Sequence, residues 1–156
     1  MLYAALKFTH LLGIVIWIGG MIFAQFFLRP ALATLEGPAR PQLMHAVLGR
    51  FLNTVLVIVG LVIASGLGMI GYTVRLVAST GGQFHMPLSW TLMATLGLVM
   101  TGIFLYIRFA LYRRLSRAVS AAEWPAGAEA LAGIRWWVTV NMVLGVAILL
   151  LTVSGR

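Results

Sequence analysis

The sequence has no cysteine and very little charge. Its 156 residues include 11 basic and only 3 acidic residues, so that 9% of the chain is charged, against about a quarter in a soluble globular domain. Without cysteine, disulfides, thiolate metal sites and cysteine nucleophiles are excluded. Any metal that this chain binds must be held by histidine, methionine, carboxylate or backbone groups.

The few carboxylates also lie outside the apolar runs, at Glu36, Glu123 and Glu129. A carboxylate proton relay and paired-carboxylate catalysis within a membrane are therefore not expected. The sequence contains no Walker-type phosphate loop, no dinucleotide fingerprint and no Ser/His/Asp arrangement that so short a chain could assemble. These absences favour a metal-handling or heme-binding protein over a hydrolase or a transferase.

What the sequence does contain is mostly apolar. Hydrophobic residues make up 62% of the chain, and the mean hydropathy is +1.03. A membrane helix needs roughly 20 apolar residues to cross about 30 Å of hydrocarbon, so the length allows about four spans. The sequence predicts an all-α integral membrane protein, a four-transmembrane-helix bundle that forms a single domain over residues 1–156.

Four apolar segments are the predicted spans, at residues 2–28, 50–74, 88–108 and 136–153. Arg29 and Pro30 are expected to close the first span, because proline disfavours helix just before it. This span is too long for a signal-peptide core and has no cleavage site, so we expect it to be retained. Residues 31–49 are predicted as a loop with a short amphipathic lead-in, and residues 113–134 as an amphipathic connection.

The basic residues sort by membrane side. The connections after spans one and three, with their flanks, hold Arg29, Arg40, Arg50, Arg108, Arg113, Arg114, Arg117 and Arg135. The opposite side holds Lys7, Arg75 and Arg156. The positive-inside rule therefore predicts both termini on the outer side, the periplasm of a Gram-negative bacterium. The net charge of +8 indicates orientation in a bacterial inner membrane, with the lipid bilayer rather than nucleic acid as partner.

The first span carries the most informative polar face. Helical spacing places on one side, which is expected to face the bundle, Lys7, His10, Ile14, Trp17, Met21 and Gln25. His10 lies about 12 Å along the helix, so it either hydrogen-bonds across helices or binds a metal or cofactor. Lys7 either reaches the outer interface through its stem or turns inward toward an anion. Gly13 and Gly20 leave room beside Trp17 for a flat group or a neighbouring helix.

Two further candidates, His85 and Met86, precede the third span on the same predicted side as His10. If their loop folds inward, these residues could converge with His10 on copper, which accepts imidazole and thioether ligands. Alternatively, the two histidines could face a heme from both sides, or His85 is simply a solvated loop residue. Met44 and His45 form a second pair, for which a loop position without function is expected.

A polar layer is predicted in the inner half of the bundle, formed by Gln25, Arg50, Asn53, Arg108 and Asn141. We expect these side chains to satisfy one another or the lipid headgroups. Interhelical hydrogen bonds of this kind contribute on the order of 1 kcal/mol.

The run His10-Leu-Leu-Gly-Ile-Val-Ile-Trp17-Ile-Gly-Gly, followed by Leu28-Arg-Pro-Ala-Leu, resembles the copper resistance protein D family. Arg50-Phe51 and Ser65-Gly66 in the second span resemble it too. The resemblance covers spans one to three and implies an inner-membrane protein of copper uptake or resistance in which His10 handles copper.

The Lys7-x-x-His10 opening is also similar to the related membrane protoporphyrinogen oxidases, and this similarity implies b-type heme near the histidine. Both groups usually carry a lysine early in the third span, where this chain has Ser89-Trp90-Thr91. That departure argues against oxidation of a porphyrinogen.

Three functions follow as hypotheses. The first is copper binding, uptake or resistance, with His10 as ligand and His85 and Met86 as co-ligands. The alternative is a redox protein that binds heme b through His10, with Lys7 or Arg75 meeting the propionates. The third is a membrane assembly subunit without a cofactor.

A minimal four-span unit is expected to need partners. Span two has small residues on one face, at Gly60, Ala64, Gly68 and Gly71, and such a face allows another helix to approach closely. A homodimer or a complex with a partner membrane subunit is therefore expected, and a periplasmic copper carrier is a further candidate partner.

Overall fold

The computed structural model describes residues 1–35 and 37–154 of the chain. Within them the backbone is helical almost throughout, and no described residue belongs to a β-strand. Glu36 and Arg156, two of the charged residues named above, lie outside the described residues. The membrane side of these two charges therefore stays a prediction.

Four long helices account for nearly all of the described chain. They are α1 (Leu2–Thr34), α2 (Ala39–Ser79), α3 (Leu88–Ser120) and α4 (Trp124–Ser154). Each contains an 18-residue window with a mean hydropathy between 1.8 and 2.3 and is long enough to cross a membrane. The predicted all-α architecture with four membrane helices is confirmed, and each predicted span lies within one of these helices.

Successive helices are antiparallel. Near the start of α1, the ring of Tyr3 lies 5.6 Å from that of Tyr72, close to the end of α2. Further along α1, Gly20 faces the ring of Phe51 near the start of α2. Contacts between α3 and α4 follow the same opposed order.

This arrangement gives the bundle two distinct ends. The paired-loop end holds the connection from Thr34 to Ala39 and the connection at residues 121–123. The single-loop end holds the connection at residues 80–87, together with the start of α1 and the end of α4. The orientation of these ends in a membrane stays a prediction.

Apolar side chains fill the bundle and also cover it. Buried core residues come from all four helices and include Trp17, Met21, Leu52, Val55, Phe104, Leu115 and Ile134. Large apolar side chains on the outside include Phe8, Phe26, Val57, Leu98 and Leu150. Helices that are apolar on every face are typical of a protein whose solvent is lipid, so the packing agrees with a membrane location.

Helix α1 continues through Pro30 instead of ending there as expected. Residues Ala24–Leu28 form a π-helical turn, in which the Arg29 N–H donates to the Ala24 carbonyl five residues earlier. A proline normally clashes with the carbonyl four residues before it, and the wider π turn relieves that crowding. The helix therefore extends past the predicted boundary to Thr34.

The loop expected over residues 31–49 is wrong for most of that range, because α1 extends to Thr34 and α2 already begins at Ala39. Pro41 lies in its first turn, where the missing N–H of proline costs no helical hydrogen bond. The amphipathic stretch at residues 113–134 belongs to the end of α3 and the start of α4, and only residues 121–123 separate these helices. Along α3, Leu115 and Ala118 are buried, so the amphipathic pattern there is that of a continuing helix.

Candidate functional site

His10 lies half-buried on α1, with its ring against the backbone of α2. Its Nδ1 is 2.9 Å from the Val62 carbonyl oxygen and 3.2 Å from Oγ of Ser65. Because a carbonyl can only accept, Nδ1 carries the proton and donates it. The other ring nitrogen, Nε2, then bears a lone pair in the neutral imidazole.

The residues of α2 are arranged to let this ring come close. A Cβ at Gly66 would lie 3.2 Å from Cε1 of His10, so glycine leaves the space that the ring fills. Ser65 is 3% exposed, and its hydroxyl donates to the Leu61 carbonyl at 2.6 Å. That proton points along the helix, so an oxygen lone pair of Ser65 remains for Nδ1 of His10.

Nε2 of His10 stays open. In the part of the chain that the structure describes, this atom has no hydrogen-bond partner, and it is not among the buried polar atoms that lack one. The imidazole is thus held on one side and accessible on the other. This is the geometry of a histidine that can accept a proton or bind a metal ion through Nε2.

The sequence does not predict Val62, Ser65 and Gly66 as partners of His10. Ser65 and Gly66 stand out there only through the family resemblance, without a connection to the histidine. Their proximity depends on the antiparallel register of α1 and α2, which hydropathy does not reveal. A serine and glycine pair inside an apolar span was the available signal, because such a pair marks a close helix contact.

The other predicted ligands lie at the single-loop end. His85 and Met86 are exposed in the connection at residues 80–87. Neither takes part in the hydrogen bonds of His10, and residues 1–35 and 37–154 contain no cluster of three or more His, Cys, Asp or Glu side chains. The convergence of His10, His85 and Met86 on one ion stays a prediction.

The two predicted cationic site residues are also at this end. Lys7 and Arg75 are both exposed. The exposure of Lys7 agrees with a side chain whose stem reaches the outer interface. Lys7 nevertheless lies three residues before His10 and so on the same side of α1. The contact of Lys7 and Arg75 with a heme propionate or another anion stays a prediction.

Trp17 packs in the core of the bundle. It is 5% exposed, and its ring meets Phe104 edge-on at 6.1 Å. The space beside Gly20 is filled by the ring of Phe51, and the space beside Gly13 by the side chain of Val62. Of the two expected occupants, the neighbouring helix fills both spaces, and the binding of a flat cofactor beside Trp17 stays a prediction.

The polar layer toward the paired-loop end is satisfied only in part, because Nε of Arg108 and Oδ1 of Asn141 are buried without a hydrogen-bond partner among the described residues. Nε2 of Gln25 donates to Oγ1 of Thr139 at 2.8 Å, which joins α1 to α4. Nη2 of Arg108 donates to Oδ1 of Asn53 at 2.8 Å, which joins α3 to α2. These two hydrogen bonds confirm that Gln25, Asn53 and Arg108 form bonds between helices, as expected.

His45 lies on α2 rather than in a loop. Its ring stacks on Tyr112 of α3 with centroids 5.2 Å apart and planes 3° from parallel. The Tyr112 hydroxyl donates to the His45 carbonyl at 3.2 Å. His45 is therefore a packing residue of the α2–α3 contact, and it lies toward the end of the bundle away from His10.

The described residues form a bundle of four apolar helices in which the His10 imidazole is held against the backbone of α2. The class of protein is therefore an integral membrane protein with a histidine between its first two helices. The sequence model of the copper resistance protein D family, CopD, matches residues 45–154. This match covers more than half of the chain, so the chain belongs to the copper resistance protein D family. No curated protein and no solved structure matches it.

The matched residues define which part of the site the family shares. They include α3, α4 and most of α2, with Ser65 and Gly66, but not His10 on α1. The fourth helix, which the resemblance in the sequence does not cover, lies within the match. Family membership connects the chain with copper resistance and with a multi-pass membrane location, while the relation to protoporphyrinogen oxidases stays a prediction.

Proposed function

We propose that this protein handles copper in the bacterial inner membrane and that Nε2 of His10 is its copper ligand. The observation that carries the proposal is the anchored imidazole, whose Nδ1 donates to the Val62 carbonyl and whose Nε2 is open. Membership of the copper resistance protein D family is the reason to propose copper as the metal. Neutral imidazole is a good ligand for copper.

The anchoring of Nδ1 has a chemical consequence. Histidines that bind metals usually donate the second ring N–H to a carbonyl or carboxylate, which fixes the tautomer and orients the ring. The Val62 carbonyl performs this function here without adding charge. A neutral partner suits a membrane interior, where a buried carboxylate would be costly in the absence of metal.

The remaining copper ligands are proposed at the single-loop end. His85 and Met86 supply an imidazole and a thioether there, and a thioether favours Cu(I). We place this end on the periplasmic side, following the distribution of the arginines. A periplasmic copper carrier would then deliver the ion to the side of the bundle that holds His10.

The direct test is the copper content of the purified protein after loading with Cu(I). We expect the wild type to retain copper and His10→Ala to lose it, because the proposed ligand atom is gone. His45→Ala is the matched control, since His45 packs against Tyr112 at the other end and its loss should leave copper binding unchanged. Equal copper in wild type and His10→Ala would contradict the proposal.

A second variant separates ligand loss from misfolding. His10→Asn keeps a side-chain N–H that can donate to the Val62 carbonyl but removes Nε2. We expect it to have the thermal stability of the wild type and no copper. Copper retained by His10→Asn, or a Soret band of bound heme in wild type that lacks copper, would contradict the proposal.

A further inference from the structure

Three arginines meet at the paired-loop end, away from His10. Arg29 of α1, Arg40 of α2 and Arg135 of α4 all line a cavity of about 360 Å³. The same three residues line a smaller adjoining cavity of about 60 Å³. Three separate helices therefore each contribute an arginine to the lining of the same cavity.

No described residue of the lining compensates the positive charge of this cavity. Among the described residues that line either cavity there is no carboxylate. Glu123 and Glu129 are near in sequence to α4 residues of the lining, but both are exposed and neither lines the cavity. The positive charges of Arg40 and Arg135 repel that of Arg29. An anion bound between the three arginines would therefore reduce their mutual repulsion.

The N-terminus of α2 adds to the positive potential. Helices α2 and α4 both begin at this cavity, whose lining includes Pro41 in the first turn of α2 and Trp124 at the start of α4. At α4, however, the Trp124 N–H already donates to the Ala122 carbonyl. No side chain caps the N-terminus of α2, and its first turn has no acidic residue. Free N–H groups at a helix N-terminus favour an anion.

The residue types in the lining indicate which kind of anion would bind there. Guanidinium groups bind phosphate oxygens in pairs of parallel hydrogen bonds. The rest of the lining is apolar, with Leu131, Ala128 and Ala132 of α4 among the cationic groups. Basic pockets between membrane helices at the headgroup level bind anionic lipids in this way.

We propose that Arg29, Arg40 and Arg135 form a phosphate-binding site, distinct from the histidine site and at the opposite end of the bundle. The phosphate belongs either to the headgroup of an anionic phospholipid or to a soluble phosphate. The two sources share the same contacts with the guanidinium groups. They differ in whether the apolar part of the lining contributes to binding.

The test compares variants of the full chain for retention of phosphatidylglycerol by native mass spectrometry. Arg29→Gln, Arg40→Gln and Arg135→Gln are each expected to weaken retention about tenfold, since each removes a charge-assisted hydrogen bond. Arg117→Gln is the matched control, because Arg117 is exposed near the same end and lines neither cavity. It removes the same charge and should change retention less than twofold.

Competition with inorganic phosphate shows whether the bound phosphate belongs to a phospholipid headgroup or to a soluble molecule. If millimolar phosphate does not displace phosphatidylglycerol from the wild type, the site takes a lipid headgroup; if phosphate binds and displaces it, the site takes a soluble phosphate. Arg40→Lys keeps the charge and loses the paired geometry, so it should bind with intermediate strength. Equal retention by all four glutamine variants, or equal retention of phosphatidylglycerol and phosphatidylcholine by a protein that binds no phosphate, would overturn the proposal.

Discussion

The position of His10 is set by a backbone carbonyl inside an intact helix. The Val62 oxygen has two lone pairs, and the helical hydrogen bond along α2 uses one of them. The second accepts the N–H of Nδ1. Because Gly66 has no side chain, the imidazole can reach this carbonyl, and the histidine is oriented without a counter-charge inside the membrane.

Ser65 makes a testable contribution to this orientation. Ser65→Ala removes the second acceptor of Nδ1 and leaves the Val62 carbonyl. Loss of a residue that orients a metal ligand lowers metal affinity by about 10- to 100-fold, and we expect the lower limit here because one acceptor remains. Competition with a Cu(I) chelator measures the affinity.

Thr54→Ala is the control for this change. Thr54 also donates its hydroxyl to a carbonyl of α2, that of Arg50, but it is exposed and makes no bond to His10. Its copper affinity should equal that of the wild type. If both alanine variants bind copper as the wild type does, Ser65 has no part in the orientation.

At the scale of elements, the contact between α1 and α2 depends on glycine. A Cβ at Gly13 would lie 2.5 Å from Cγ2 of Val62, and one at Gly19 would meet nothing within 4 Å. Valine has one strongly preferred rotamer in a helix, so Val62 cannot easily move aside. The close approach that brings His10 to α2 thus rests on Gly13 but not on Gly19.

Gly13→Ala is therefore expected to destabilise the protein by about 1–3 kcal/mol through overpacking. Gly19→Ala should leave stability unchanged or raise it, because alanine is the better helix former. Thermal unfolding in detergent measures both. A Gly13→Ala variant as stable as Gly19→Ala would show that α1 and α2 are not packed as described.

The helices show what a sequence pattern can and cannot predict about such elements. Hydropathy predicted all four, because a membrane helix is apolar over a fixed length. The π turn at Ala24–Leu28, which carries α1 past Pro30, leaves no trace in periodicity. The stretch that carries Pro38, Pro41 and His45 is predicted as a loop with an amphipathic lead-in, whereas a proline in the first turn of a helix is well tolerated.

The histidine site could likewise be predicted only in part from the sequence. The depth of His10 in an apolar span marked it as important, since ionisable residues there are rare. Its partners on α2, the filled space beside Trp17 and the meeting of Arg29, Arg40 and Arg135 all depend on how separate helices pack. The spacing of residues along one helix can mark a close contact, but it does not show which residues of another helix take part in it.

At the scale of the whole molecule, the two ends of the bundle have different chemistry. The single-loop end lies nearest the histidine, with His85 and Met86 in its connection. The paired-loop end carries the arginine cavity. If the distribution of arginines sets the orientation, the proposed copper site faces the periplasm and the proposed phosphate site faces the cytoplasm.

The absence of cysteine makes this orientation easy to test. Single cysteines at the exposed positions Gln83 and Ala121 report on the two ends of the bundle. We expect a membrane-impermeant maleimide to label Gln83→Cys in spheroplasts and to label Ala121→Cys only after the membrane is opened. The reverse pattern would show that both termini are cytoplasmic.

The central claim, that Nε2 of His10 is an open copper ligand because Nδ1 is held by α2, can be tested directly by NMR. The chain has only 3 histidines, so ¹⁵N-histidine labelling gives few ring signals, and His10→Asn assigns those of His10. The account predicts the Nδ1–H tautomer without metal and a shift of the Nε2 resonance when Cu(I) is added. An Nε2–H tautomer with resonances that copper leaves unchanged would contradict it.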